Sequence, residues 1–104
     1  PRRVLRPWGY YEVLEKQPDY EIRLVTVKPG GKIGEHQHDD IVKQWSVVKG
    51  EGLLRLAESQ RTLNFSENIE IPEKYQHSIF NDALFEMKIL EIKKFIQCKQ
   101  TESV

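Results

Sequence analysis

The sequence predicts an all-β fold, one antiparallel sandwich or barrel, on three observations. Apolar residues recur with a period near two, they come in short runs, and Gly, Pro, Asn, Asp or Ser separates the runs. A length of 104 residues is enough for one hydrophobic core and too short for a separate catalytic module.

The expected strands follow in chain order. Tyr10 to Leu14 and Tyr20 to Lys28 are rich in aromatic and β-branched residues, which suit a pleated, half-buried surface. Pro29-Gly30-Gly31 supplies a permissive turn before the next run, Gln44 to Lys49, whose Trp45 and Val47 share a face. Lys49-Gly50-Glu51-Gly52 turns the chain into Leu53 to Ala57, and the polar link Glu58-Ser59-Gln60 leads to Arg61 to Phe65. Ile69 to Ile71 and His77 to Phe80 are short strands. Leu84 to Phe95 is ambiguous, because Leu84, Met87, Ile89, Leu90 and Ile92 also fit a helix. The alternation of Phe85, Met87, Ile89, Glu91 and Lys93 against Leu84, Glu86, Lys88, Leu90 and Ile92, without helix caps, makes it a strand. Tyr20, Phe65, Phe80 and Phe85 are expected core residues. The domain is expected over 1–97, with 1–9 as an N-terminal arm and 98–104 as a polar, frayed tail. Trp8, in a Pro-Gly segment, is expected to plug one end of the barrel or a neighbouring subunit.

Composition removes several classes of function. Lys and Arg total 16 against 16 Asp and Glu, so no net charge draws the chain to nucleic acid or an anionic membrane. No stretch is apolar enough to span a bilayer, and Arg2, Arg3 and Arg6 run into Pro7 and Trp8 and not into an apolar signal core. Cys98 has no partner within the chain, which suits a reducing, cytoplasmic setting. Because the chain opens on Pro1, processing, a tag remnant and a larger parent chain all stay open.

The three histidines fall in one frame: Gly30-x5-His36-x-His38-x4-Lys43-x6-Gly50, then Ser66-x5-Pro72-x-Lys74-x2-His77-x3-Asn81. This frame resembles the two signature motifs of the cupin superfamily, with Lys43, Ser66 and Lys74 standing where the pattern has Glu, Gly and Gly. The resemblance implies a single-domain cupin double-stranded β-helix, a jelly-roll barrel. Arg6-Pro7-Trp8-Gly9, Tyr11-Glu12-Val13-Leu14, Val25-Thr26-Val27-Lys28-Pro29-Gly30 and Trp45 with Val47-Val48 further resemble the C-terminal cupin domain of type II phosphomannose isomerases, the mannose-1-phosphate guanylyltransferase group. In that group the metal motif reads Q-x-H-x-H-R-x-E-H-W. It maps its ligands onto His36, His38, Lys43 and His77, and puts Ile41 where the group has arginine. No nucleotidyltransferase domain lies within these residues, so guanylyl transfer is not expected of them.

Two histidines at i and i+2 on a strand point to one face, so His36 and His38 can share an ion that His77 completes. The implied cofactor is a divalent metal, zinc ahead of iron. Lys43 opposes it: an ammonium about 4 Å from a divalent ion is repelled by roughly 8 kcal/mol at an effective dielectric near 20. Lysine escapes by losing its proton, by swinging its stem out, or by pairing with Asp39, Asp40, Glu70 or an anionic ligand. Without metal, Lys43 and the imidazoles suit a phosphate or carboxylate, and Lys43 is the candidate catalytic cation. Trp45 reads first as core and second as a sugar-facing ring. Lys74, in the loop before His77, is a candidate phosphate contact whose plainer reading is a solvated loop lysine; Arg23 and Lys32 carry the same two readings.

Three functions follow as expectations. The first is mannose-6-phosphate isomerase-like aldose-ketose conversion, in which Lys43 or a metal holds the enediolate oxygen. The second is a non-catalytic cupin binding a sugar phosphate or nucleotide sugar. The third is a three-histidine iron oxygenase. A small-molecule ligand and a homodimer paired through exposed sheet edges are the expected partners.

Overall fold

A computed structural model describes residues 2–36 and 39–96, without the side chains of Glu35 and His36. Its strands are β1 Arg3–Arg6, β2 Gly9–Lys16, β3 Tyr20–Val27, β4 Lys32–His36, β5 Ile41–Lys49, β6 Gly52–Leu56, β7 Ser59–Leu63, β8 Asn68–Ile71, β9 His77–Phe80 and β10 Met87–Phe95. Two antiparallel sheets carry them, a six-stranded one ordered β1-β2-β3-β10-β5-β8 and a four-stranded one ordered β4-β9-β6-β7. No helix among the described residues is long and apolar enough to cross a membrane.

The ambiguous C-terminal run is a strand. β10 lies at the centre of the large sheet, paired with β3 and β5, because its alternating face presents Met87 and Ile89 to the core. The inner face of this sheet divides into two halves. Across β3, β10 and β5, one row sets Val25, Ile89 and Val47 side by side. The next holds Arg23, Glu91 and Trp45, and the one beyond holds Glu21, Lys93 and Lys43. The apolar half packs with Val27, Met87, Leu54, Leu63, Ile71 and Ile79 into the core. The charged half lines the open end, and its place follows from strand parity alone.

Two strands escaped the sequence reading. β1 forms a hairpin with β2, with Leu5 opposite Tyr10, so the expected arm joins the sheet. β4 holds Ile33 opposite Ile79, although Gly34 interrupts its sequence pattern. Two core expectations are corrected. Phe65 and Phe85 are 64% and 76% exposed, because β7 already ends at Leu63 and β10 starts only at Met87. Leu63 and Met87 take the fully buried positions in their stead. Tyr20 and Phe80 are half-buried.

The β6–β7 turn is shorter than the link expected from Glu58-Ser59-Gln60. Leu56 pairs with Ser59, leaving Ala57 and Glu58 as a two-residue loop with Ala57 at φ 54°. A positive φ at the first central position is the one type II′ turns give to glycine. Ala57→Gly should therefore stabilise the domain by about 0.5 kcal/mol, raising the melting temperature by roughly 2–4 °C in a thermal melt. Ser66 and Lys74, at φ 69° and 71°, show why the motif carries glycine at both places: the backbone retains the glycine conformation although the side chain has changed. Gly50 keeps both its φ of 78° and a tight fit, since an added Cβ would come within 2.7 Å of the Glu86 carbonyl oxygen.

Candidate functional site

The site grows from β5 outward. Its alternation turns Lys43, Trp45 and Val47 into the barrel, and Lys43 ends 4% exposed. The Lys43 Nζ lies 3.1 Å from His77 Nε2 and 3.7 Å from Glu91 Oε2. Trp45 Nε1 donates to the same Glu91 oxygen at 2.8 Å, and its ring meets the His77 ring edge-on, centroids 5.7 Å apart. Four side chains from β5, β9 and β10 thus form one buried polar cluster spanning the two sheets.

The protonation pattern follows from hydrogen-bond roles. His77 Nδ1 sits 2.9 Å from the Tyr75 carbonyl oxygen, which only accepts, so Nδ1 carries the hydrogen. A doubly protonated ring would press an N–H against the Lys43 ammonium. The imidazole is therefore neutral, and its Nε2 lone pair accepts from Lys43. This is the lone pair a metal would use, at about 2.0–2.1 Å for zinc. A divalent ion there and the ammonium 3.1 Å from the same nitrogen exclude each other, so Lys43 in this position does not fit a resident metal.

Burial lowers the Lys43 ammonium to about 8, with Glu91 offsetting part of the effect and Lys93 and Arg23 adding to it. Burial also lowers Lys93. Both lysines bind protons less readily folded than unfolded, so the sign is set: stability rises as pH climbs from about 8 towards 10. For Lys43 the full gain is about 3 kcal/mol, reached once the unfolded amine is neutral as well, and about 2 kcal/mol of it falls between pH 7 and pH 9.5. Urea melts at pH 7 and pH 9.5 check it; equal midpoints would contradict it.

Above the cluster opens a cavity of about 270 Å³, lined by Arg6, Trp8, Tyr11, Arg23, Val25, Ile33, Lys43, Trp45, Glu91 and Lys93. Among these residues four cations face one carboxylate. Arg23 is held from two sides: its Nε donates to Glu21 at 2.6 Å, and its guanidinium lies 4.1 Å from the centre of the Tyr11 ring. Arg6 stacks on the same ring at 5.4 Å. Trp8 packs against the core and lines the cavity wall.

The structure brings Lys43, Trp45 and His77 together. Backbone pairing sets His36 opposite His77, while the His36 side chain and His38 lie outside the described residues, as does Cys98. Lys74 is exposed and lines a separate depression with Ala57, Glu58, Tyr75 and Gln76. Asp39, Asp40 and Glu70 are the Lys43 partners expected from the sequence, whereas the structure pairs Lys43 with Glu91. A signal for it existed, because Glu91 and Lys93 continue the core-facing alternation of Met87 and Ile89. A charge at core parity in a strand marks a lined cavity or a buried pair. Arg23 and Glu21 follow Val25 and Val27 by the same rule.

Two antiparallel sheets closing on an inward polar cluster at one end give this domain the cupin fold. Solved structures share that fold: the chain superposes on a predicted oxalate decarboxylase from Thermotoga maritima with a TM-score of 0.83 at 16% identity, covering 92% of each chain. The Cnp3 cupin domain of Schizosaccharomyces pombe gives 0.79 at 11% identity over 83% of this chain and 64% of that one. The family described as mannose-6-phosphate isomerase C-terminal matches residues 1–100, and the chain belongs to it. Mannose-1-phosphate guanylyltransferases from Salmonella montevideo and Salmonella muenchen are 29% and 31% identical over 92 and 90 residues, which is 88% and 86% of this chain. The chain spans about a fifth of the length of these relatives, 20% and 19% respectively.

Proposed function

We propose that the domain binds a phosphorylated sugar in the cavity above Lys43, without a resident metal. The observation that carries this reading is the lining itself: Arg6, Arg23, Lys43 and Lys93 against Glu91, with Trp8, Tyr11 and Trp45 beside them. Guanidinium groups match a phosphate's paired oxygens, and aromatic faces suit the C–H side of a sugar ring. Kinship with proteins named for mannose-phosphate chemistry points to the same ligand class. Titration calorimetry with mannose 6-phosphate, fructose 6-phosphate and free mannose, with a chelator present, tests it. Both esters should bind and mannose should not. Arg23→Ala should weaken the esters by about tenfold or more, the worth of one charge-assisted hydrogen bond. Equal affinity for mannose and its phosphate would refute the reading.

Isomerisation is the second reading, favoured by one pairing: Glu91 and Lys43 line the same cavity 3.7 Å apart. Aldose-ketose conversion needs a base for the proton and a cation for the enediolate oxygen, and these two side chains supply both. Conversion of mannose 6-phosphate to fructose 6-phosphate that survives chelation and is lost in Glu91→Gln would establish it. No conversion above the uncatalysed rate leaves the domain a binder.

A further inference from the structure

We propose that Lys43 is a carbonyl-capturing nucleophile, forming an imine with the open-chain aldehyde or ketone of a phosphorylated compound held in the cavity. The proposal rests on the ligand class argued above and adds covalent chemistry at a named atom. Three features of the geometry carry it. Lys43 lines the cavity and is otherwise almost wholly buried, so a ligand in the cavity meets it from one side. Its hydrogen-bond partner, His77 Nε2, is an acceptor already fixed by the Nδ1 bond to the Tyr75 carbonyl, so a proton from the ammonium has a defined destination. Glu91 stands beside it, held by Trp45, and the rim cations Arg6 and Arg23 can hold the phosphate of a carbonyl compound whose other end reaches Nζ. A desolvated lysine beside other cations is an established form of activated amine.

The step balances without any outside oxidant or reductant. The Lys43 ammonium passes one proton to His77 Nε2, and the freed electron pair on Nζ attacks the carbonyl carbon. The N–C bond forms, the carbonyl π pair moves to oxygen, and a proton shifts from nitrogen to that oxygen to give a carbinolamine. The imidazolium returns its proton to the hydroxyl, the C–O bond breaks, water leaves, and nitrogen supplies the pair for the C=N bond. Ammonium plus carbonyl becomes protonated imine plus water. The positive charge stays beside Glu91 throughout, so the buried carboxylate never loses its counter-charge.

The test incubates the intact chain with glyceraldehyde 3-phosphate, an aldehyde phosphate with no ring form, in the presence of cyanoborohydride, which reduces an imine to a stable secondary amine. Peptide mapping by mass spectrometry should find Lys43 modified at least about tenfold more than any exposed lysine, with excess mannose 6-phosphate protecting it. Lys43→Arg keeps the cation beside Glu91 and should lose the adduct. Modification concentrated on Lys93, spread over exposed lysines, or absent while the ester still binds would overturn the imine and leave the binding reading intact. Absence of both adduct and binding would overturn the two together. The wild-type map decides the matter even if the arginine variant does not fold.

Discussion

Lys43→Glu is expected to lose about 3–5 kcal/mol of stability in the absence of metal and to recover it on adding zinc. The wild-type cluster is balanced: the ammonium offsets Glu91 and donates to the neutral His77, and Trp45 Nε1 donates to the same Glu91 oxygen that the ammonium approaches. A carboxylate at position 43 faces Glu91 in the same buried space and the His77 lone pair with no hydrogen to offer it. One of the two acids must take up a proton or the barrel must open. A loss of this size lowers the melting temperature of a domain this small by at least about 10 °C. The substitution also removes the Lys43 ammonium from the Nε2 lone pair of an imidazole whose other nitrogen is already oriented by a backbone carbonyl, the usual support of a metal-bound histidine. Zinc binding to the folded state then restores stability by mass action. Melts with and without zinc, run beside the wild type, measure it. A variant as stable as wild type, or one indifferent to zinc, would show that Lys43 does not hold the position of an ion.

Asn81→Ala is expected to cost about 3 kcal/mol without changing ligand affinity in the molecules that remain folded. Asn81 is completely buried, and its side chain makes three hydrogen bonds: Nδ2 donates to the Val27 carbonyl at 2.9 Å and to the Phe85 carbonyl at 2.8 Å, and Oδ1 accepts from the Ala83 amide at 3.0 Å. Its backbone also exchanges hydrogen bonds with Gly30 and Gly31. One residue thus ties the end of β3, the β3–β4 turn and the loop before β10. Alanine takes the partner from two carbonyls and an amide, and the Val27 carbonyl is left unsatisfied in the buried interior. Asn81→Asp should be at least as damaging, because a carboxylate accepts where the two carbonyls need a donor. Urea midpoints rank the three proteins, and an aspartate variant more stable than the alanine one would refute the assignment.

The histidine frame, the glycines and Asn81 were legible because turns and buried amides impose residue types that few others satisfy. Lys43 was legible as an anomaly for the same reason, being a cation at core parity between two histidine-bearing segments. Its partner was harder to see. Glu91 lies 48 positions further on, and only the placing of β10 between β3 and β5 brings it to the lysine. Sequence alone orders strands along the chain and says little about which become neighbours. The misplaced Phe65 and Phe85 have a related cause: hydrophobicity marks a residue as a core candidate, but the register of the adjoining strand decides whether it faces inward, and both lie just beyond the strand end. β1 and β4 were missed because their pairing partners, and not their own patterns, hold them in the sheets.

Whether an ammonium has taken the place of an ion between the two sheets decides how this site works. Elemental mass spectrometry on wild-type protein expressed with added zinc and iron, followed by ester calorimetry after exhaustive chelation, measures this directly. Metal well below one ion per chain, with mannose 6-phosphate binding unchanged by the chelator, is the predicted result. One tightly held ion per chain with Lys43 intact, and binding that vanishes when the ion is removed, would contradict it.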